Sequence, residues 1–373
     1  MRRLVALRLL LFDRSTTAGS VLGVVAIIFL VGQQLSILFG LLGYMSVLVD
    51  HSDADLWVLT KNTQNVSASG SLPASYADRI RGLAQVEWVE PMVSTAGLFR
   101  LKDGRYQGVQ VVGLTRPEIT GGPWKFAQGS IDVLLDLEGI TIDRTDLGLL
   151  GEPDLGSFSE INRNRVRVGG LTQGIRGFEG TLVFTNIDKA RQIGGVAPDR
   201  CSTILVKLAE GTDAKGAASA IAELLPKAEV VPTRELSRRT RTYYLTNTGI
   251  GGSFGFSTLI GTMVGTIIIT LTMYTTVLNR RKEIAVLRAL GARRRDILVV
   301  ILYQSLIIGA VGLVIGFLLL ACFLYFTYGT QLPVRMPLWV PPVHAAFTLI
   351  LCLLGSLLAM RKATSINPAS AFR

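Results

Sequence analysis

Catalysis by histidine or zinc has little to work with in this sequence. Its 373 residues include two histidines, His51 and His344, and three cysteines, Cys201, Cys322 and Cys352. Zinc takes Cys and His ligands at close, recurring spacings. Here the two histidines lie far apart, with no Cys pair or second His nearby. A Ser-His-Asp hydrolase is equally hard to build from them. No G-x-x-x-x-G-K-[ST] run occurs, so the chain has no phosphate loop for nucleotide. Cys322 and Cys352 sit in apolar runs, which leaves Cys201 alone in the large polar region and rules out an intrachain disulfide there. Asp53, Asp55, Asp132 and Asp136 belong to a region where acids and bases balance, and they read as solvated surface. The sequence thus predicts no catalytic residue and no metal site.

One stretch carries a different kind of chemistry. Asn279 to Asp296, NRRKEIAVLRALGARRRD, has seven Lys/Arg against two acids and lies between two long apolar runs. That bias marks a short cytoplasmic loop, because basic loops stay inside. From Glu283 to Ala292 good helix formers predominate, Ile284, Leu287 and Leu290 fall on roughly one side, and Gly291 stands where a helix would stop. Two readings fit. The arginines could simply hold anionic lipid headgroups. Membrane retention, however, needs charge and not an apolar stripe with a glycine stop, which suits docking into a groove on a soluble partner. In that reading Arg280, Arg281, Lys282, Glu283 and Arg288 make the polar contacts, Leu287 and Leu290 are the apolar anchor, and Gly291 closes the helix.

The charge distribution supports the inside assignment. Residues 1–49, 279–296 and 361–373 hold fourteen Lys/Arg and three Asp/Glu, a surplus equal to the whole chain's +11. The remainder is neutral, so a nucleic-acid groove has no support.

The run KEIAVLRALGARRRDI resembles the coupling segment of the MacB/FtsX-type ABC transporter permeases, and Asn367-Pro368-Ala369-Ser370-Ala371-Phe372-Arg373 resembles their closing Pro-Ala-x-x-Leu-Arg, with Phe372 in place of Leu. The segments Asp50 to Val58 and Thr246 to Gly249 are most similar to the DevC subgroup, whose members work with an ATPase and a membrane-fusion adaptor. The resemblance implies an α-helical membrane protein with four transmembrane helices and a large extracytoplasmic α/β domain of two lobes. It further implies a non-catalytic permease subunit that transmits motion from two copies of a separate ABC ATPase. ATP and Mg would then be bound by that partner, with no cofactor in this chain. The expected setting is a homodimer, multi-pass in a bacterial inner membrane with both termini cytoplasmic, joined by an adaptor and an outer-membrane channel. Tripartite export of lipid, glycolipid, peptide or hydrophobic compounds is the expected task. An FtsX-like signalling permease that activates a cell-wall hydrolase, and a lipoprotein-extracting permease, are the alternatives.

The chain read in order supplies the positioning elements. Residues 1–17 begin RRLVALRLLLF from Arg2, an amphipathic pattern that suits a helix on the inner membrane face. Residues 18–49 form the first span; its apolar run 21–49 is 29 residues, longer than the roughly 20 a bilayer needs. Residues 50–253 form the outer domain. Its first lobe, 50–114 plus 201–232, reads as strand Asp55–Thr60, helix Pro73–Leu83 and strand Val86–Leu98, then strand Ser202–Leu208, helix Asp213–Leu225 behind Thr212 as N-cap, and strand Ala228–Val231. The inserted lobe 115–200 is glycine-rich, with short strands at Arg165–Val168 and Thr181–Phe184. A stalk helix covers 233–253, where Gly249, Gly251 and Gly252 permit either a continuous helix or a hinge.

The second span is 254–278, the coupling loop 279–296, the third span 297–328, the outer loop 329–337, the fourth span 338–360 and the tail 361–373. Ser257, Gly261 and Gly265 recur every four residues, the small-residue spacing that lets helix backbones approach. They are assigned to a contact with a second copy, against a contact within the chain. No Asp, Glu, Lys or Arg interrupts the spans, so ion-coupled transport lacks its usual groups.

Overall fold

Lipid offers backbone amides no partners, so apolar runs as long as these satisfy their hydrogen bonds internally as helices. A computed structural model describes residues 14–364 apart from 69, 118, 280–285, 287–290 and 292. Four of its helices are long and apolar enough to cross a membrane, over Thr17–Met45, Ile250–Thr272, Arg295–Thr327 and Val340–Leu357. The amphipathic pattern of residues 2–12 and the closing motif 367–373 lie outside the described residues.

The chain forms two compact units. One is helical, ending at Gly40 and resuming over Gly252–Tyr328 and from Val334; the other is α/β, comprising Leu41–Gly251 with Gly329–Pro333.

In the helical unit the first helix, Arg14–Met45, is the most enclosed by its own chain, and the second, Ile250–Asn279, the least. Glycine permits the approach. A Cβ at Gly265 would lie 1.9 Å from Ile27 Cγ1, and one at Gly316 on the third helix, Arg294–Thr327, would lie 2.7 Å from Ile28 Cβ. Gly261 likewise faces Leu30 and Val31. The stripe assigned to a second copy is thus taken, at Gly261 and Gly265, by the first helix of the same chain. The physical reason is local: the side chains of Ile27 and Val31 fill the groove that the glycines open. Val24, Ile27, Val31, Ile269, Ile301, Ile308 and Cys352 form the shared core. Pro341 and Pro342 fall in the first turn of the fourth helix, Val340–Thr364, where missing amide donors cost least.

Among the described residues the α/β unit has twelve strands: β1 (Leu56–Thr60), β2 (Leu72–Pro73), β3 (Val86–Arg100), β4 (Tyr106–Leu114), β5 (Phe126–Gln128), β6 (Gly139–Asp143), β7 (Phe158–Ile161), β8 (Asn164–Thr172), β9 (Thr181–Asn186), β10 (Arg200–Cys201), β11 (Thr203–Leu208) and β12 (Ala228–Pro232). The main sheet runs β12-β1-β11-β3-β4-β9-β6-β8-β5, with β7 beside β3 and β8. The two expected strand-helix-strand halves do pair: β1 lies antiparallel between β11 and β12, and β11 also pairs β3. β3 is 15 residues long and joins both portions of the sheet. Its first half holds β11 and its second half holds β4, which pairs in parallel with β9.

Successive strand residues face opposite sides, and both sides of β1 are covered. Leu56 and Val58 join a core with Ile80 and Ile221 of the helices Tyr76–Arg81 and Ala214–Leu224. Trp57 and Leu59 join a second core with Leu48, Val49, Ile175 and Leu236. The segments leading to and from the long helices therefore pack on this second face.

Three details differ from expectation. The first apolar run breaks at Ser46, before a short helix Val47–Asp50, and Ser46 Oγ donates to the Asp50 carboxylate and accepts from Arg241 there. The N-cap of the helix Ala214–Leu224 is Asp213 and not Thr212; its carboxylate accepts from Lys215 N and Gly216 N at 3.3 and 2.9 Å, meeting amides that the helix leaves open. The stalk helix is shorter than the expected 233–253: it spans Thr233–Asn247, and Gly249 follows with φ +76°, a backbone state glycine adopts freely, so of the two arrangements left open there the break is the one observed.

Candidate functional site

Most of the candidate coupling residues fall outside the described part of the chain. Arg280, Arg281, Lys282, Glu283, Leu287, Arg288 and Leu290 all do so. Of the loop's interior, Val286 is helical and exposed, and Gly291 is a turn residue with φ +93° and open space where a Cβ would stand. That left-handed state is the one a helix-ending glycine takes. On the far side of the turn, Asp296 accepts from Arg293 N at 2.9 Å at the start of the third long helix. An acid there meets the helix's positive end.

Within the α/β unit, the stalk Thr233–Asn247 is held by contacts that no sequence motif marks. Arg241 on the stalk donates through Nε to Ser46 Oγ at 2.7 Å and through Nη2 to the Asp50 carboxylate. It thereby staples the stalk to the continuation of the first helix. One turn further along, Tyr244 donates to the Glu179 carboxylate, and its ring stands edge-on to Phe178 with centroids 4.8 Å apart. Burial first, then the Glu179 hydrogen bond, push the Tyr244 hydroxyl well above the usual phenol range. It is therefore a fixed donor. His51 stacks on Trp124 at 4.4 Å, and Trp124 in turn meets Phe184 of β9 edge-on.

A buried acid pair organises the same region. Asp143 at the end of β6 is fully buried and accepts from Thr145 N at 3.0 Å, Thr145 Oγ1 at 2.6 Å, Ile175 N at 2.7 Å and Thr172 Oγ1 at 3.3 Å. Buried polar groups persist when they are paired in this way. Asp146, also buried, sits 2.6 Å from Arg176 Nε, out of line for a directed hydrogen bond. Burial raises the Asp146 carboxyl above its ordinary value, with the Arg176 charge pulling the other way. No local spacing in the sequence announces these pairs. The visible signals are weaker: Tyr243-Tyr244 within a polar, basic helix, and an Asp143-x-x-Asp146 run beside a glycine-rich stretch.

Comparison with known proteins bears on the whole arrangement. The MacB-like periplasmic core domain matches residues 16–224, more than half of the chain, and the FtsX-like permease C-terminal domain matches residues 255–368. An uncharacterized ABC transporter permease of Methanocaldococcus jannaschii is 29% identical over 180 residues, 45% of this chain and 44% of that protein. The chain thus matches less than half the length of that curated relative. Among solved structures, the periplasmic region of MacB from Actinobacillus actinomycetemcomitans aligns at TM-score 0.41 and 15% identity, covering 50% of this chain and 91% of that one. The extracellular domain of the noncanonic ABC-type transporter YknZ from Gram-positive bacteria aligns at TM-score 0.37 and 14% identity, covering 48% and 98%. Since the core-domain match takes in the first long helix and most of the α/β unit, and the permease match takes in the other three helices, the chain belongs to the MacB/FtsX-type ABC transporter permeases, as a membrane protein with a large extracytoplasmic α/β domain.

Proposed function

We propose that this chain is the permease subunit of a tripartite, efflux-type ABC transporter, and that it passes ATP-driven motion of a separate ATPase to its extracytoplasmic domain. The observation that supports this best is how the α/β unit is bounded. It takes in the last residues of the first long helix from Leu41, the first residues of the second through Gly251, and the loop Gly329–Pro333 between the third and fourth. A domain that includes helix ends as part of its own fold responds to displacement of those helices. One tethered by free linkers would not.

In this reading the loop 279–296 is cytoplasmic and docks on the ATPase through Arg280, Arg281, Lys282, Glu283 and Arg288, with Leu287 and Leu290 as anchor. Two ATPase copies bind ATP and Mg, and this chain binds neither. Both termini face the cytoplasm of a bacterial inner membrane. Two copies of the chain act together, with a membrane-fusion adaptor and an outer-membrane channel completing a DevC-like assembly. Four spans without Asp, Glu, Lys or Arg leave little for a hydrophilic path, so the cargo is a lipid, glycolipid, peptide or hydrophobic compound already outside or in the outer leaflet.

Affinity purification of the full chain from native membranes tests this. The expected co-purifying proteins are an ABC ATPase and an adaptor. Recovery of a cell-wall hydrolase in place of the adaptor would establish the signalling role, and a second, non-identical permease would establish lipoprotein extraction.

A further inference from the structure

The connection between β8 and β9, Gln173 to Gly180, is eight residues long and faces in two directions at once. Its base is fixed: Ile175 is fully buried, its N–H is held by Asp143, and Gln173 N donates to Lys125 O at 3.2 Å. Its far end, Phe178 and Glu179, grips Tyr244 of the stalk. Between them Arg176 reaches elsewhere. Its Nη1 donates to Gln331 O at 2.9 Å, and its guanidinium lies 5.7 Å from the centroid of the Tyr44 ring.

Gln331 belongs to the short connection between the third and fourth long helices, and Tyr44 to the end of the first. This one connection therefore touches segments that continue into all four long helices. Gly329–Pro333 also clusters with the α/β unit and not with the helices it joins.

We propose that Gln173–Gly180 is a clasp by which the extracytoplasmic domain holds the outer connection of the third and fourth membrane helices, with Arg176 as the positioning residue. The domain then has a second, noncovalent linkage to the membrane helices besides the chain connections at Met45 and Gly249.

The choice of residue fits the task. Arginine carries five donors in a rigid planar fork and also lies over aromatic faces, whereas lysine offers one ammonium on a flexible stem. Here one guanidinium meets a carboxylate, a carbonyl and a ring. A buried ion pair adds little net stability because desolvation offsets its attraction, and its better-attested value is in fixing one arrangement. Asp146, 1% exposed, serves as the fixed counter-charge that aims Arg176, 12% exposed, at the connection.

The consequence for transport rests on the motion-transmitting function proposed above, but the clasp can be tested without a motor. In a Cys322→Ser background, spin labels are placed at Gln331→Cys, whose backbone carbonyl is the acceptor, and at Lys215→Cys on an exposed helix of the domain. The full chain in lipid nanodiscs is expected to give a single narrow distance. Arg176→Lys, and separately Arg176→Gln combined with Asp146→Asn to avoid an unpaired buried acid, are expected to lose that narrow distance while the domain melts as before. A distance already broad in the unsubstituted chain, one that stays narrow in both variants, or a domain that unfolds in both would overturn the clasp. No ATPase is present, so failure here is separate from failure of the transport proposal.

Discussion

Leu290→Asp is expected to abolish co-purification of the ATPase while the chain still inserts in the membrane. The residue sits three positions after Leu287 and six after Ile284, the spacing that the docking-helix reading of the sequence places on roughly one side. Burying one such leucine in a partner's groove is worth about 1.5–3 kcal/mol, and about 1.4 kcal/mol is tenfold in affinity. Removing it therefore costs roughly ten- to a hundredfold. The aspartate adds the desolvation of a carboxylate with no partner in an apolar groove. Insertion depends on the flanking apolar runs and on the basic residues, which the substitution leaves unchanged. Membrane fractionation together with pull-down checks both halves. Co-purification at the unsubstituted level would remove the docking assignment, and would leave the lipid-headgroup reading of the basic residues standing.

Gly265→Val is expected to lower the melting temperature of the chain in detergent by the same amount at every protein concentration. A Cβ at this position already comes within 1.9 Å of Ile27 Cγ1, on a helix buried in the bundle core. Ile27 is fully buried in the same core cluster as Val24, Val31 and Ile308, so it has little free space to retreat into. Overpacking of a filled core costs about 1–3 kcal/mol, a large share of what a small membrane bundle can lose and stay folded. A purely intrachain contact gives no concentration dependence. Loss of a dimer with an unchanged monomer melting point would return Gly265 to the interface between copies.

The elements readable from the sequence were those whose pattern is local. Four apolar runs of bilayer length gave the long helices, and the runs that became β1, β11 and β12 were bounded closely enough that each matches within one residue at either end. β4 received no strand assignment; Gly108 and Gly113 interrupt its run of strand formers. Gly113 is needed for packing: a Cβ there would stand 2.3 Å from Ala190 Cβ, on a helix, Ile187–Gly194, that was missed as well. That helix has only eight residues, too few for an apolar period to stand out. Its ends were nonetheless marked. Asn186 caps its start by accepting from Lys189 N, and Gly195 ends it with φ +63°. Asparagine before an acidic first turn and a Gly-Gly pair at the helix end is a recognisable frame.

The contacts at the junction had no such frame. Arg176 meets residues 30 and 155 positions away in Asp146 and Gln331, and Arg241 meets Ser46 across 195. Each residue is unremarkable in its own neighbourhood. Only the sheet, by carrying β8 and β9 past β6 and laying the stalk on its second face, brings the partners together. The candidate coupling residues are the opposite case, since their pattern is wholly local and stands in the sequence without the fold.

Transmission itself is tested most directly by one distance. Spin labels at Lys215→Cys on two copies of the full chain, in a Cys322→Ser background, are followed in nanodiscs with and without the ATPase and with and without trapped ATP. The account predicts that the distance between copies shifts only when ATPase and ATP are both present, and that Leu290→Asp cancels the shift. A distance that ignores ATP in the intact complex, or that moves equally in the chain alone, would contradict it.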